Sequence, residues 1–292
     1  MMISVGAGFL ADLFFLPAFL KIFPNLLKEP VKVHASLAVD QEVGNLKKIA
    51  GLVIVMFIFF TPSANAETPK DILVKSQAHL DAHDDQAHVE MKIIEKNGEV
   101  KSRSMQLKTL REKDFYVLAK IESPADIKGM GFLGQVNKKG QESQWIYLPS
   151  SGQVRRVVTG KTKAGLLGSE ISPEDLSSEA IQSSNLKLAK EDGQAWWIEI
   201  IPATGTSSYS KVITQISKKD SVPLSTEYYI GARIKKTVTF SQYLKIGSVM
   251  RAQVIDVKNQ FNGRSTQVKF SQTKVNAGLS IKDFSQGALK ED

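Results

Sequence analysis

An alternation of apolar and polar residues with period two dominates this sequence, from Val89 almost to the end of the chain. The string Val89-Glu90-Met91-Lys92-Ile93 shows it first, and Asn97-Gly98 then supplies a tight hairpin turn before the alternation resumes. Period two is typical of strands that bury one face, and short turns between such strands favour antiparallel pairing. The sequence therefore predicts a mainly β domain built as an antiparallel meander.

Seven strands are predicted in the last third of the chain alone. They are residues 186–190, 195–202, 209–217, 223–230, 234–243, 250–259 and 264–274. No repeat of fixed period and no low-complexity stretch interrupts the pattern. We therefore expect residues 67–292 to form one domain.

Helical signals are few. An amphipathic helix is predicted at residues 68–80, with Thr68 as its cap and Pro69 in its first turn. A short helix is predicted at residues 172–183, where a serine is followed by proline and two acids. A final amphipathic piece covers residues 281–289. This amount of helix is enough to cover part of a sheet but not to build a helical layer.

Residues 145–157 are predicted to form a central hairpin of the sheet, with a Pro-Ser-Ser-Gly turn and paired arginines on its second strand. In the first strand, one pair of side chains shares each face: Trp145 with Tyr147, and Ile146 with Leu148. A glycine-containing loop, predicted to be mobile, follows at residues 159–169.

Residues 45–66 have the three parts of a secretory signal peptide. Lys47 and Lys48 form the basic start, residues 49–60 the apolar run, and a small-x-small cleavage site ends at Ala66. The alternative is a membrane anchor, but a bilayer requires about 20 apolar residues. We therefore expect cleavage after Ala66 and export to the periplasm of a Gram-negative cell.

Residues 1–44 form an apolar, membrane-like segment and a linker ahead of this signal. Residues 5–23 are long enough to span a membrane. Residues 1–30 resemble the C-terminal transmembrane end of an MMPL-type exporter of the RND class, through the run Asp12-Leu13-Phe14-Phe15-Leu16-Pro17. One interpretation is a fusion to, or a start inside, an upstream exporter gene. The other is a genuine additional membrane segment.

Composition excludes several classes of protein. The chain has no cysteine, which removes disulfide frameworks, thiol nucleophiles and thiolate metal sites. Its net charge of +8 is spread along the predicted strands, so we expect no nucleic-acid binding.

The three histidines His79, His83 and His88 could hold a metal, but a solvated helix end and loop is the simpler interpretation. The glycines at 129, 131 and 134 match a dinucleotide pattern, but a strand rather than a helix is predicted after them.

The order of these elements resembles the outer-membrane lipoprotein-sorting family, in its LolA-like branch associated with RND-type exporters. The resemblance rests on Lys128-Gly129 with Phe132-Leu133, on Trp145-Ile146-Tyr147-Leu148-Pro149-Ser150 with Arg155-Arg156, and on Gly168-Ser169 with Glu174-Asp175-Leu176. It implies a curved antiparallel sheet, an incomplete β-barrel, whose concave apolar face is covered by short helices. It also implies a monomeric, non-enzymatic periplasmic carrier of lipid or lipoprotein acyl chains, working with an RND/MMPL-type exporter and without cofactor or metal. The alternative is an RseB-like sensor that reports lipid or envelope stress to a membrane partner.

The candidate ligand-binding residues lie in the glycine-containing stretch before residues 135–137 and in the predicted hairpin of residues 145–157. They are Phe132, Leu133, Ile146, Leu148, Arg155 and Arg156. We expect Ile146 and Leu148, with Phe132, to line the cavity, because apolar side chains against a greasy ligand need no polar partner. One of the two arginines would meet an anionic head group while the other is solvated. Core packing and surface charge are the simpler alternative for all six.

Overall fold

The computed structural model describes residues 67–137, 142–157, 166–171, 185–203 and 207–290. The predicted signal peptide, the membrane-like segment, the helix at residues 172–183 and most of the loop at residues 159–169 lie outside the described residues. None of the helices within these ranges is long and apolar enough to cross a bilayer.

Thirteen antiparallel strands and one α-helix make up the described fold. The helix is α1, Pro69–Leu80, and short 3-10 helices occupy Leu166–Gly168 and Ile281–Phe284. The strands are β1 Asp84–Ile94, β2 Val100–Arg111, β3 Phe115–Ser123, β4 Gly131–Val136, β5 Glu142–Leu148, β6 Gln153–Val157, β7 Asn185–Glu191, β8 Ala195–Ile201, β9 Lys211–Ser217, β10 Pro223–Ile230, β11 Arg233–Ile246, β12 Val249–Asn259 and β13 Ser265–Val275.

All the strands belong to one open, curved sheet, in the order β6-β5-β4-β3-β2-β1-β13-β12-β11-β10-β9-β8-β7. Each strand pairs with its neighbour in sequence, except that β1 pairs with β13 and β6 and β7 form the two edges. This confirms the predicted meander. The prediction of a central hairpin at residues 145–157 is wrong, because β6 is an edge strand. The chain leaves β6 and returns as β7 at the opposite edge.

The inner face of the sheet, defined here as the face that α1 covers, carries the main hydrophobic core. Alternate residues of nearly every strand contribute to it, including Val89, Met105, Ile255 and Tyr228. The burial pattern of β1, in which Val89, Met91 and Ile93 are buried between exposed residues, shows the period-two rule directly. The predicted alternation is therefore confirmed as a one-sided core.

Helix α1 begins as predicted. The Thr68 hydroxyl accepts a hydrogen bond from the backbone N–H of Asp71 at 3.2 Å, and the Asp71 carboxylate accepts from the Thr68 backbone in return. The Thr68 hydroxyl also donates to the Asp71 carboxylate at 2.6 Å, and the hydrogen bonds that this carboxylate accepts from the Thr68 side chain and backbone lower the pKa of Asp71. Ile72 and Leu73, each 1% exposed, then pack against the inner face.

The segment after α1 differs from its prediction. Strand β1 begins at Asp84, within the stretch expected to be a solvated loop. Asp84 and Asp85 are only 2% and 3% exposed. Their burial is possible because each carboxylate has partners elsewhere in the chain: Asp84 accepts from the backbone N–H groups of Ala277 and Gly278, and Asp85 from a buried arginine.

Candidate functional site

A row of cross-strand neighbours crosses the inner face from the β6 edge towards the core. Arg155 on β6 lies opposite Ile146 on β5, Ile146 opposite Phe132 on β4, and Phe132 opposite Ala119 on β3, which in turn lies opposite Leu107 on β2. Residues directly opposite each other in an antiparallel sheet share a face. We call these five residues the inner row. Exposure falls from the exposed Arg155 through the half-buried Ile146 and Phe132 to the buried Ala119, and Leu107 is again half-buried.

The structure brings three of the predicted apolar residues together and places the fourth elsewhere. Phe132, Ile146 and Leu148 share the inner face, and all three are half-buried. Phe132 packs against the main core. Leu133 points to the outer face, where it is 3% exposed in a second hydrophobic cluster. Leu133 and Phe132 therefore cannot line the same surface, and the ligand-binding role of all four stays a prediction.

The two predicted arginines also lie on opposite faces. Arg155 is on the inner face and donates from Nε and NH2 to the Gln153 side chain at 3.4 and 3.2 Å. Arg156 is on the outer face, opposite Trp145, and its NH2 donates to the Ser143 hydroxyl at 3.2 Å. Both are exposed.

The outer face of β2–β5 is covered by the C-terminal segment, residues 279–290. Phe284 and Leu289, 4% and 1% exposed, pack there with Leu110, Leu118 and Leu133, and Trp145 and Tyr147 lie against this cluster. The aromatic pair of the hairpin thus belongs to a structural contact. The same contact explains one of the three glycines of the dinucleotide-like motif.

A Cβ at Gly131 would lie 2.7 Å from the Leu289 side chain, so this glycine leaves room for the C-terminal segment. Gly129 has φ of +81° in the turn before β4, a conformation that favours glycine. The expected strand follows as β4, so the prediction of a strand rather than a nucleotide-binding helix is confirmed.

The loop at residues 166–171 is fastened across one end of the inner face. Leu167 and Ile171 pack against the main core. The Glu170 carboxylate accepts hydrogen bonds from Arg264 at 2.7 Å and Asn259 at 2.6 Å, and its side chain is 7% exposed. Its backbone N–H donates to Thr266 at 2.9 Å. We call this set of contacts the Glu170 clamp.

Arg264 extends the clamp to the β1–β2 hairpin. Its Nε donates to Glu95 Oε2 at 2.8 Å, and its NH2 donates to the Gly168 carbonyl at 2.8 Å. The hydrogen bond and charge of Arg264 hold the pKa of Glu95 below its ordinary value. One guanidinium therefore ties a strand hairpin to the covering loop.

Two further cations lie on the inner face near this loop. Lys236 is 2% exposed; its Nζ lies 5.0 Å from the ring centre of Tyr228 and donates to the Glu170 carbonyl at 3.4 Å. Arg103 is half-buried with its NH2 close to Gly168, and its buried Nε has no hydrogen-bond partner among the described residues. Such a donor is costly to bury in an apolar setting.

At the other end of the sheet a buried ion pair holds α1. Arg251, 2% exposed, donates to both Asp85 oxygens at 3.0 and 2.9 Å, and its NH1 donates to the Leu80 carbonyl at 2.6 Å. Burial raises the pKa of Asp85, and the adjacent guanidinium opposes that shift. The two covers of the inner face, α1 and the loop, are therefore each held by an arginine of the sheet.

Sequence reasoning missed these inner-face cations, although a signal for them exists. Arg103 lies two residues before Met105, Lys236 two before Val238 and Arg251 two after Val249, each in phase with the apolar face. A charged residue in the apolar phase of a strand indicates either a buried partner or a functional contact.

The histidines are spread over different surroundings. His88 lies on β1, with its Nδ1 3.0 Å from Glu122 on β3, and His83 Nδ1 lies 3.4 Å from Asp84. His79 is in the last turn of α1. Within the described ranges, no group of three or more His, Asp or Glu side chains is placed to hold a metal.

A protein-family model described as "Uncharacterized protein" matches residues 113–291. No curated protein matches the chain significantly. Among solved structures, a DUF1329 family protein from Desulfovibrio piger is 25% identical, with a TM-score of 0.68 over 76% of this chain and 97% of that one. An outer membrane lipoprotein-sorting protein domain from Vibrio parahaemolyticus is 29% identical, with a TM-score of 0.67 over 77% of this chain and 98% of that one.

A LolA superfamily protein from Nitrosomonas europaea shares the fold at 17% identity, with a TM-score of 0.58 over 76% of this chain and 99% of that one. The predicted resemblance and the predicted fold class, an open curved antiparallel sheet, are both confirmed by these three structures.

Proposed function

Because the chain belongs to the family whose model matches residues 113–291 and shares the LolA-like fold of outer-membrane lipoprotein-sorting proteins, we propose that it is a non-enzymatic carrier of lipid or lipoprotein acyl chains. The protein would act in the periplasm, where an insoluble acyl chain must be shielded from water on its way between membranes. The similarity to the lipoprotein-sorting protein domain from Vibrio parahaemolyticus supports lipoproteins as the cargo.

The inner row is the observation that carries the proposal. Its apolar residues continue from the main core to β6, the edge strand of the described sheet, with Ile146 and Phe132 only half-buried. Binding there needs no covalent chemistry, since each methylene removed from water contributes about 0.8 kcal/mol. Ten buried methylenes would contribute about 8 kcal/mol before the costs of association.

The bound ligand is to be identified by organic extraction of the purified protein and mass spectrometry. We expect co-purified lipid, and we expect the lipid-free protein to take up a fluorescent fatty acid. A lipid-free preparation that takes up no fatty acid would refute the carrier proposal.

The surface is tested by substitution. Ile146→Asn should weaken fatty-acid uptake about tenfold, because it places an amide in the middle of the inner row. Val100→Asn is the matched control: Val100 is 53% exposed at the start of β2, and its substitution should leave uptake unchanged. Equal effects of the two substitutions would argue against the inner row as the binding surface.

The RND/MMPL-type exporter partner and the cleaved signal peptide rest on residues outside the described ranges. We propose both from the sequence. Intact mass of the exported protein should correspond to a chain that begins at Glu67. Co-purification with an inner-membrane exporter would support the partner.

The sensor alternative stays a prediction. It requires a stable protein complex whose affinity changes with ligand, whereas a carrier releases its cargo to an acceptor. A transfer assay between two vesicle populations separates the two functions.

A further inference from the structure

We infer that the ligand carries an anionic head group, a phosphate or carboxylate, and that Arg155, not Arg156, binds it at the β6 edge. This inference rests on the proposed function and makes it more specific. It follows from the different faces on which two adjacent arginines of one strand lie.

Arg155 ends the inner row on β6, the edge strand of the described sheet. Its guanidinium shares a face with Ile146 and Phe132, through the pairings of β6 with β5 and of β5 with β4. Neighbouring strands are about 4.8 Å apart, so the four steps from β6 to β2 span about 19 Å. An extended acyl chain can lie along this row with its head group at Arg155.

Arg156 lacks such a row. The apolar residues on its face, Trp145 and Leu133 among them, already pack against Phe284 and Leu289 of the C-terminal segment. Its guanidinium also donates to Ser143. A lipid bound at Arg156 would have to displace that segment, whereas a lipid at Arg155 meets the half-buried side chains of Ile146 and Phe132 on the inner face.

The other inner-face cations, the 5% exposed Arg111 among them, are less suited to a head group that stays in contact with water. Lys236 and Arg251 are each 2% exposed and hold the covering loop and α1. Arg103 lies close to Gly168 of the loop. Arg155 is exposed, and within the described part of the chain its hydrogen bonds go to the neutral Gln153 side chain.

The chemistry of the guanidinium fits an oxyanion. It presents paired N–H donors that match two oxygens of a phosphate or carboxylate, and it stays charged at any physiological pH. Because the contact lies at the surface, its contribution is that of an exposed ion pair and is weakened by salt. We therefore expect it to set preference among lipids more than overall affinity.

The test measures binding of three probes to the lipid-free protein by calorimetry: short-chain phosphatidylglycerol, short-chain phosphatidylcholine and inorganic phosphate. The wild type should prefer phosphatidylglycerol about two- to fivefold, the range of an exposed ion pair. Arg155→Gln should abolish this preference while phosphatidylcholine binds as before. Arg156→Gln, the matched control on the same strand, and Arg103→Gln should both keep it.

Each other result is decisive. Equal binding of the two lipids, or a preference lost equally in Arg156→Gln or lost in Arg103→Gln instead, overturns the inference and leaves the carrier function standing. Failure of both lipids to bind the folded wild type overturns the carrier function as well. Inorganic phosphate that binds as tightly as phosphatidylglycerol would show a free-anion site rather than a lipid head-group site, and would also overturn the inference.

Discussion

Replacing Arg251 with methionine should lower the free energy of unfolding by about 3–5 kcal/mol, the range found when one partner of a buried ion pair is removed. The substitution keeps an unbranched chain of similar length, so packing changes little. The loss arises from the partners that Arg251 leaves behind.

Those partners are the Asp85 carboxylate and the Leu80 carbonyl. Asp85 is 3% exposed and accepts two hydrogen bonds from Arg251. Without that guanidinium it must either remain charged in a buried site, where the charge of Arg111 also acts on it, or take up a proton. The Leu80 carbonyl ends α1 and loses its 2.6 Å bond, which by itself costs about 1–3 kcal/mol.

The measurement is urea unfolding followed by circular dichroism at neutral pH. The transition should move to lower urea without a change in its slope. Thermal unfolding should shift down by about 6–20 °C, since each kcal/mol corresponds to about 2–4 °C for a domain of this size.

Two further variants separate the ion pair from general damage. Asp85→Leu combined with Arg251→Met removes both charges and should retain a deficit of only about 1–3 kcal/mol, from the orphaned Leu80 carbonyl. Lys101→Met removes an exposed pair, 49% and 23% exposed at its two side chains, and should cost at most about 1 kcal/mol. An Arg251→Met protein less than 1 kcal/mol below wild type would refute the reasoning, as would a double variant no more stable than Arg251→Met alone.

Three other consequences can be measured on the same protein. Gly131→Val should destabilise it by about 1–3 kcal/mol through overlap with Leu289, and a double-mutant cycle with Leu289→Ala should show coupling; strict additivity would contradict the contact. Because Arg264 lowers the pKa of Glu95, the stability from this pair is present above pH 4.5 and is lost as pH falls through the lowered pKa. Glu95→Gln should therefore reduce the loss of unfolding free energy at acid pH. An unchanged dependence of stability on acid pH would exclude this origin. Thr68→Ala should cost about 1 kcal/mol in thermal unfolding, and Thr68→Ser should restore most of it; no loss would mean that the capping box is not formed in solution.

Local pattern was sufficient for most elements of this fold. Residues 223–230 were predicted as a strand with the same bounds as β10, and the helix capped by Thr68 ends at Leu80 as expected. Both depend on information within one element: the period of apolar residues, a proline, a hydroxyl next to a carboxylate. The assignment of Trp145 and Tyr147 to one face and Ile146 and Leu148 to the other follows from the same period.

Which face is the inner one, and what covers the outer one, depended on residues far away in sequence. Leu133 is adjacent to Phe132 in sequence and is predicted to share its ligand surface, but the C-terminal Phe284 and Leu289 bury it on the opposite face. Residues 84–88, predicted as a loop, belong to strand β1, where Asp85 is buried against Arg251, more than 160 residues later.

The alternation along a strand is a property of the backbone and can be read from any short segment. Partners for a buried charge or an outer apolar face are supplied by the folded chain as a whole, so no segment contains them. For this protein the sequence therefore specified strands, turns, one helix and the family resemblance. Only the assembled sheet places Arg155 at the end of an apolar row on the inner face and Arg156 on the outer face.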